Sequence, residues 1–204
     1  MDHLRYAGLP HEDQIAALET IVRREPLLMT VLEGLREMDL PDWLLVSGAI
    51  YNHVWNVLTA RPSLNGIKDI DVFYFDDSDL SYQAEDRVIR AVNARFAHLP
   101  LPVETRNQAR AHLWFPQRFG RPFAPLSSSA EMLGRFASKT HAVGIRLDAS
   151  GQMQIVAPFG LDLVFSFRIV PNHVLNNRET HEKKSARAKA IWPELAVEPW
   201  DANP

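Results

Sequence analysis

An α+β domain is the fold class the residue pattern predicts, and three observations carry it. Two amphipathic helical stretches precede any strand-like run. A run with alternating hydrophobics, Ile67 to Phe75, follows them. A hairpin pattern appears only late, between Ala142 and Val156. Helices and strands that alternate irregularly in this way suit a short mixed sheet with helices packed on it.

Each element has its own signal. Ile15, Leu18, Ile21 and Val22 follow helical spacing behind the acidic start Glu12-Asp13. A second helix, Pro26 to Met38, gathers Leu28, Val31, Leu32 and Leu35 on one side. Its proline sits in the first turn, where no amide donor is needed. Trp43 to Val46 is a short apolar run, readable as a buried strand entering the turn Ser47-Gly48, and Ala49 to about Leu58 is helical again. Arg61 to Gly66 reads as a loop from its breaker residues. After the strand at Ile67–Phe75, the acids from Asp76 to Asp79 open a long helix to about His98, with Val88, Ile89, Val92 and Phe96 as its stripe. Leu101 to Thr105 predicts another strand, followed by a helical stretch to Trp114.

Beyond Pro116 the character changes. Ser128 or Ser129 can cap a short helix ending near Phe136. Asp148-Ala149-Ser150-Gly151 is the turn of a hairpin joining Ala142–Leu147 to Met153–Val156, and Glu182 to Lys189 predicts a final exposed helix. The chain reads as a single domain, with a core of about 42–115 and a C-terminal section of about 116–204.

Composition narrows the chemistry. The 204 residues are 46% hydrophobic, enough for a sizeable core. The absence of cysteine removes disulfides, thiolate zinc sites and a cysteine nucleophile. His141, His173 and His181 have no zinc-ligand spacing. A formal charge of −3, with acids and bases interspersed, argues against a broad nucleic-acid surface but not against a small phosphate pocket. With no signal pattern and no long apolar run, a cytoplasmic protein without membrane association is expected.

The chemistry-bearing residues lie on and beside the Ile67–Phe75 run. Asp69 and Asp71, two apart on a strand, point to one face and can reach one hard cation. A bare Asp-x-Asp is a weak signal, since Asp77-Ser78-Asp79 repeats it in a polar turn. Asp69 and Asp71 differ in that they lead into Val72-Phe73-Tyr74-Phe75, where buried acids are costly unless paired or metal-bound. Upstream, Val46-Ser47-Gly48-Ala49 joins a strand to a helix start through small residues, the arrangement of an anion site made from free backbone amides.

Leu45-Val46-Ser47-Gly48-Ala49 followed by Lys68-Asp69-Ile70-Asp71-Val72 resembles the signature of polymerase-beta-type nucleotidyltransferases. It is especially similar to the version in tRNA CCA-adding enzymes, where a glycine pair precedes the helix and a Lys-Asp-x-Asp strand follows. The wider chain, from about Trp43 to Asn172, resembles a small bacterial nucleotidyltransferase-like family through Gly48-Ala49-Ile50-Tyr51-Asn52, Arg106-Asn107-Gln108-Ala109-Arg110, His112-Leu113-Trp114 and Ala157-Pro158-Phe159-Gly160-Leu161.

The resemblance implies transfer of a nucleotidyl group from a nucleoside triphosphate to an acceptor that it does not specify. Asp69 and Asp71 would bind magnesium, or alternatively manganese, and Ser47, Gly48 and Lys68 would meet the nucleotide. Those families carry a third carboxylate on a later strand. Val103-Glu104-Thr105 nominates Glu104 as ligand or base, with Asp162 as the second candidate. Ser47 replaces a glycine common among relatives, which requires ordinary backbone angles there. The connection from Gly48 to Asp69 is also longer than in the CCA-adding pattern, by about Ala60 to Gly66, as a lid or a plain loop.

Asn52 is a further candidate for sugar or phosphate contact. Arg106 and Arg110 lie four apart and would share a face if helical, suited to phosphates. His112, beside Trp114, reads first as structural, and Trp43, Trp55 and Trp114 read as core. Lys183, Lys184, Arg187 and Lys189 read as a solvated helix face. The rival readings are an inactive nucleotide-binding module and a partner-binding protein, such as a toxin–antitoxin component.

Overall fold

The computed structural model describes residues 2–201. Helices α1 (His11–Arg23) and α2 (Pro26–Met38) form on the predicted spacing and bury Leu18, Val22, Leu28, Val31, Leu32 and Leu35. The Glu25 side chain accepts from the Leu27 amide and caps α2. The central segment runs β1 (Leu44–Val46), α3 (Gly48–Leu58), β2 (Ile70–Tyr74), α4 (Tyr82–Phe96) and β3 (Val103–Asn107). The Asp76–Asp79 acids stand ahead of α4 instead of inside it. Asp79 accepts from the Ser81 amide, and Ser81 is the residue that caps the helix.

The second half holds α5 (Ala111–Phe119), α6 (Ser129–Leu133), the hairpin strands β4 (Gly144–Leu147) and β5 (Met153–Val156), α7 (Asp162–Phe165), β6 (Arg168–Ile169), α8 (Arg178–Ile191) and β7 (Ala196–Val197). Helix α5 runs past the predicted stop at Trp114, with Pro116 inside it. A proline removes only its own amide bond, and the helix ends at Gly120, whose φ of +67° suits a left-handed cap. The Ser128 hydroxyl caps α6 as expected.

The main sheet is mixed, in the order β3-β2-β1-β4-β5, with only β2 and β3 parallel. Helix α4 is the crossover that a parallel pair requires. Strand alternation divides the hydrophobics between two faces. Leu45, Val72 and Ile145 point into the large core shared with α1, α2 and α3, while Leu44, Val46 and Phe73 pack beneath Leu133 and Phe136. Asp71 is paired with Val46 on one side and Glu104 on the other, so it belongs to the second face. Strands β6 and β7 form a separate parallel pair. Among the described residues, no helix is long and apolar enough to cross a membrane.

Candidate active site

The turn between β1 and α3 is held by its backbone. The Ser47 amide donates to the Val143 carbonyl at 2.8 Å, and the Ser47 carbonyl accepts from Ile50 and Tyr51 at 2.9 and 3.2 Å. Meeting both demands sets Ser47 at φ +62°, ψ −120°, a region that favours glycine. The expectation of ordinary angles at this position is therefore corrected: the serine carries backbone strain of about 1–3 kcal/mol. Ser47→Gly should raise stability by about 1 kcal/mol, a few degrees in thermal midpoint for a chain of this size. A lower midpoint for this variant would show that the hydroxyl matters more than the strain.

Beyond the turn lies a cavity of about 170 Å³. Ser47, Gly48 and Asn52 line one wall, and Lys68, Asp69 and Asp71 line another. Asp69 lies just ahead of β2, not within the strand as expected, and Asp71 lies in it, yet both line the cavity faced by the first turn of α3. Unpaired amides at a helix start favour an anion there. Tyr51 joins this wall, stacked on His141 at 4.6 Å between ring centres. Burial pushes the Tyr51 phenol up to about 12, so it remains a hydrogen-bond donor at neutral pH. Burial pushes the His141 imidazole down to about 3, with the Lys184 charge adding to the effect, and the ring stays neutral.

Asp71 is electrostatically unusual. Burial first, then the neighbouring charges of Asp69 and Glu104, push its carboxyl up to about 6, with Lys184 and Arg106 pulling the other way. A carboxylate crowded by like charge is the donor chemistry that a hard divalent cation relieves. Magnesium needs only one or two protein carboxylates when phosphates and water complete its shell, so the residues fit that ion. Among the described residues no three carboxylates or histidines are drawn together as a closed metal cage.

The remaining predicted residues separate. Glu104 stands on β3 directly beside Asp71, exposed and outside the cavity lining, and Arg106 follows two residues along the same strand. The expectation that Arg106 and Arg110 share a helix face is overturned, because β3 extends through Asn107 before a single tight turn. Arg110 points away. It forms an ion pair with the buried Glu85, donates through Nε to the Leu80 carbonyl at 3.0 Å, and lies over Tyr82. Arg110→Ala strands the Glu85 carboxylate, although Glu85 retains the Asn107 amide at 3.0 Å. The expected loss is about 3 kcal/mol in chemical unfolding, with unchanged catalysis per folded molecule. Selective loss of nucleotide binding would instead place Arg110 in the site.

Asp162, the alternative third carboxylate, starts α7 and accepts from the Gly8 amide and Gln14 Nε2 at 2.7 and 2.9 Å. It ties down the N-terminal segment and does not line the cavity.

Cavity residues on α8 and at its end escaped the sequence reading. Lys184 and Arg187 reach the cavity from α8, which also buries His181, Ser185 and Ala188, so this helix is docked and not merely solvated. Trp192 closes the floor beside Gly66 and Ile67. The loop Ala60–Gly66 is pinned and not a free lid. Asn56 Nδ2 donates to the Ser63 and Asn65 carbonyls, and Gly66, at φ +73°, touches Trp192 where any side chain would collide. The one available signal was the spacing of Lys184 and Arg187 three apart with Ser185 and Ala188 between and beside them, a pattern easily taken for a solvated face.

A helix start facing an acid pair at the beginning of an adjacent strand, carried by a mixed sheet, defines a nucleotidyl-transfer domain. The comparisons agree. A family model described as nucleotidyltransferase matches residues 33–197, and the chain belongs to that family. An NMR structure described as revealing a CCA-adding enzyme head domain superposes with a TM-score of 0.71 at 21% identity, covering 96% of this chain and 99% of that one, which shows a shared fold. A search of curated proteins finds no match.

Proposed function

We propose that this chain moves a nucleotidyl group from a nucleoside triphosphate to an acceptor hydroxyl in a magnesium-dependent reaction that releases pyrophosphate. The supporting observation is that the Ser47-Gly48 turn and the Asp69–Asp71 pair open onto one cavity. Asp69 and Asp71 are the residues that would hold magnesium, or manganese in its place. Such an ion supplies charge neutralisation at the phosphates during an in-line displacement.

The chain's own groups do the positioning. The α3 amides and the Ser47-Gly48 backbone receive phosphate oxygens, Asn52 can hydrogen-bond the nucleotide, and Lys68 adds positive charge at the rim. The acceptor oxygen forms a bond to the α-phosphorus as the bond to the bridging oxygen breaks, and the electron pair leaves with pyrophosphate. Glu104, on the strand beside Asp71, would take the acceptor's proton, with Arg106 two residues along the same strand. A cytoplasmic setting supplies both magnesium and triphosphates.

The experiment is a screen of the four nucleoside triphosphates, with and without magnesium, read as thermal shift and as pyrophosphate release. Magnesium-dependent stabilisation by at least one triphosphate, with slow pyrophosphate release that an acceptor accelerates, is the expected result. Binding without release in any acceptor mixture would favour an inactive nucleotide-binding module.

A further inference from the structure

Resting on the nucleotidyl-transfer reading, we propose that Lys184 and Arg187 on α8 grip the outer phosphates of the nucleotide. On this account the C-terminal helix sets the preference for a triphosphate over shorter phosphate chains. Both residues line the cavity that holds the acid pair, and they lie three apart, on one side of the helix.

Their charge is uncommitted. Among the described residues, none of the ion pairs uses Lys68, Lys184 or Arg187. Arg178 on the same helix, by contrast, is paired with both Glu182 and Asp201. A cavity that gathers three such cations around two carboxylates calls for a polyanion that carries its own divalent ion.

The helix that brings these cations is held in place before any ligand arrives. Trp192 Nε1 donates to Asn56 Oδ1 at 3.0 Å, a 2.8 Å hydrogen bond links His181 Nδ1 and the Ser138 hydroxyl, and Arg187 Nη2 donates to the Gly66 carbonyl at 3.1 Å. Little ordering is left to oppose binding. The amides of α3 and the cations of α8 come from different elements that both line the cavity, and a chain of three phosphates offers more oxygens to the two sets than a single phosphate does. Selectivity for length follows from that difference.

The test uses the full chain and needs neither the right base nor an acceptor. Inorganic tripolyphosphate with magnesium is titrated calorimetrically, and orthophosphate is measured by competition. Lys184→Ala and Arg187→Ala should each weaken tripolyphosphate binding about tenfold and together about a hundredfold, while orthophosphate changes little. Both side chains are exposed, so the variants should fold, and Lys183→Ala, exposed on the same helix but outside the cavity, should bind as wild type.

Unchanged tripolyphosphate affinity in the double variant overturns the inference, as does an equal loss for both anions or a wild-type protein that binds no tripolyphosphate. Pyrophosphate release by wild type combined with an unaffected double variant would sink this assignment alone. Tripolyphosphate binding through these residues, with no triphosphate ever turned over, would sink the transferase reading and leave the phosphate site standing.

Discussion

Asp71→Asn should lower magnesium-dependent pyrophosphate release by about a thousandfold or more, and it should make the metal-free protein more stable above pH 7. The loss follows because Asp71 is one of two carboxylates among the described residues that line the cavity, and phosphoryl transfer relies almost wholly on positioning and charge neutralisation. The gain follows from its crowding. Its carboxyl titrates near 6 when folded against an ordinary value of 3.8, so its folded pKa lies above its unfolded one. The sign is then fixed: the stabilising contribution is complete below about 4 and is lost as pH rises through about 6. At higher pH the ionised group costs the metal-free fold about 2–3 kcal/mol, by the shift from 3.8 to about 6.

The metal-free wild type should therefore lose stability between about pH 4 and pH 7 on this account, and Asp71→Asn should lose less over the same interval. Magnesium selects the ionised carboxylate, so its stabilising effect should grow through about pH 6 in the wild type and stay small in the variant. Thermal scans across pH, with magnesium and with a chelator, check both halves. Unchanged pyrophosphate release would remove Asp71 from the chemistry even if the stability gain appeared.

Asn56→Ala should cost about 3–5 kcal/mol in urea unfolding, the largest stability effect expected of a single polar side chain here. Asn56 is fully buried in α3 and its amide is used on every side. It donates to the Ser63 and Asn65 carbonyls at 2.9 and 2.8 Å, and its oxygen accepts from Trp192 at 3.0 Å. Alanine leaves a buried indole N–H and the Asn65 carbonyl without these partners, and the Ser63 carbonyl with the His53 ring nitrogen at 3.4 Å. It also loosens the loop Ala60–Gly66 and the end of α8 together, so nucleotide affinity should fall even in the fraction that remains folded. A drop of less than about 1 kcal/mol would mean that water or repacking replaces the network.

How much of this was legible beforehand depends on the range of the interaction. The first two helices were readable from spacing alone, because each buries one stripe of Leu and Val against a common core. That Asp69 and Asp71 meet the Ser47-Gly48 turn at one cavity was readable because a two-residue spacing and a small-residue turn are local properties. Arg110 was misread for the opposite reason. Whether β3 ends before or after Arg106 depends on five cross-strand pairings with β2, and those lie some thirty residues away in sequence.

Residues 47 to 71 alone determined a helix start, an acid strand and the chemistry that such neighbours can serve, because each is encoded within a few consecutive side chains. Tertiary structure decided which charges complete the cavity. It buried Arg110 against Glu85 and tied Asp162 to the N-terminal segment, and it swung α8 over the cavity so that Lys184 and Arg187 face the acids. Burial and charge at a point depend on every segment that packs there, and the α8 cations lie more than a hundred residues beyond the carboxylates they face.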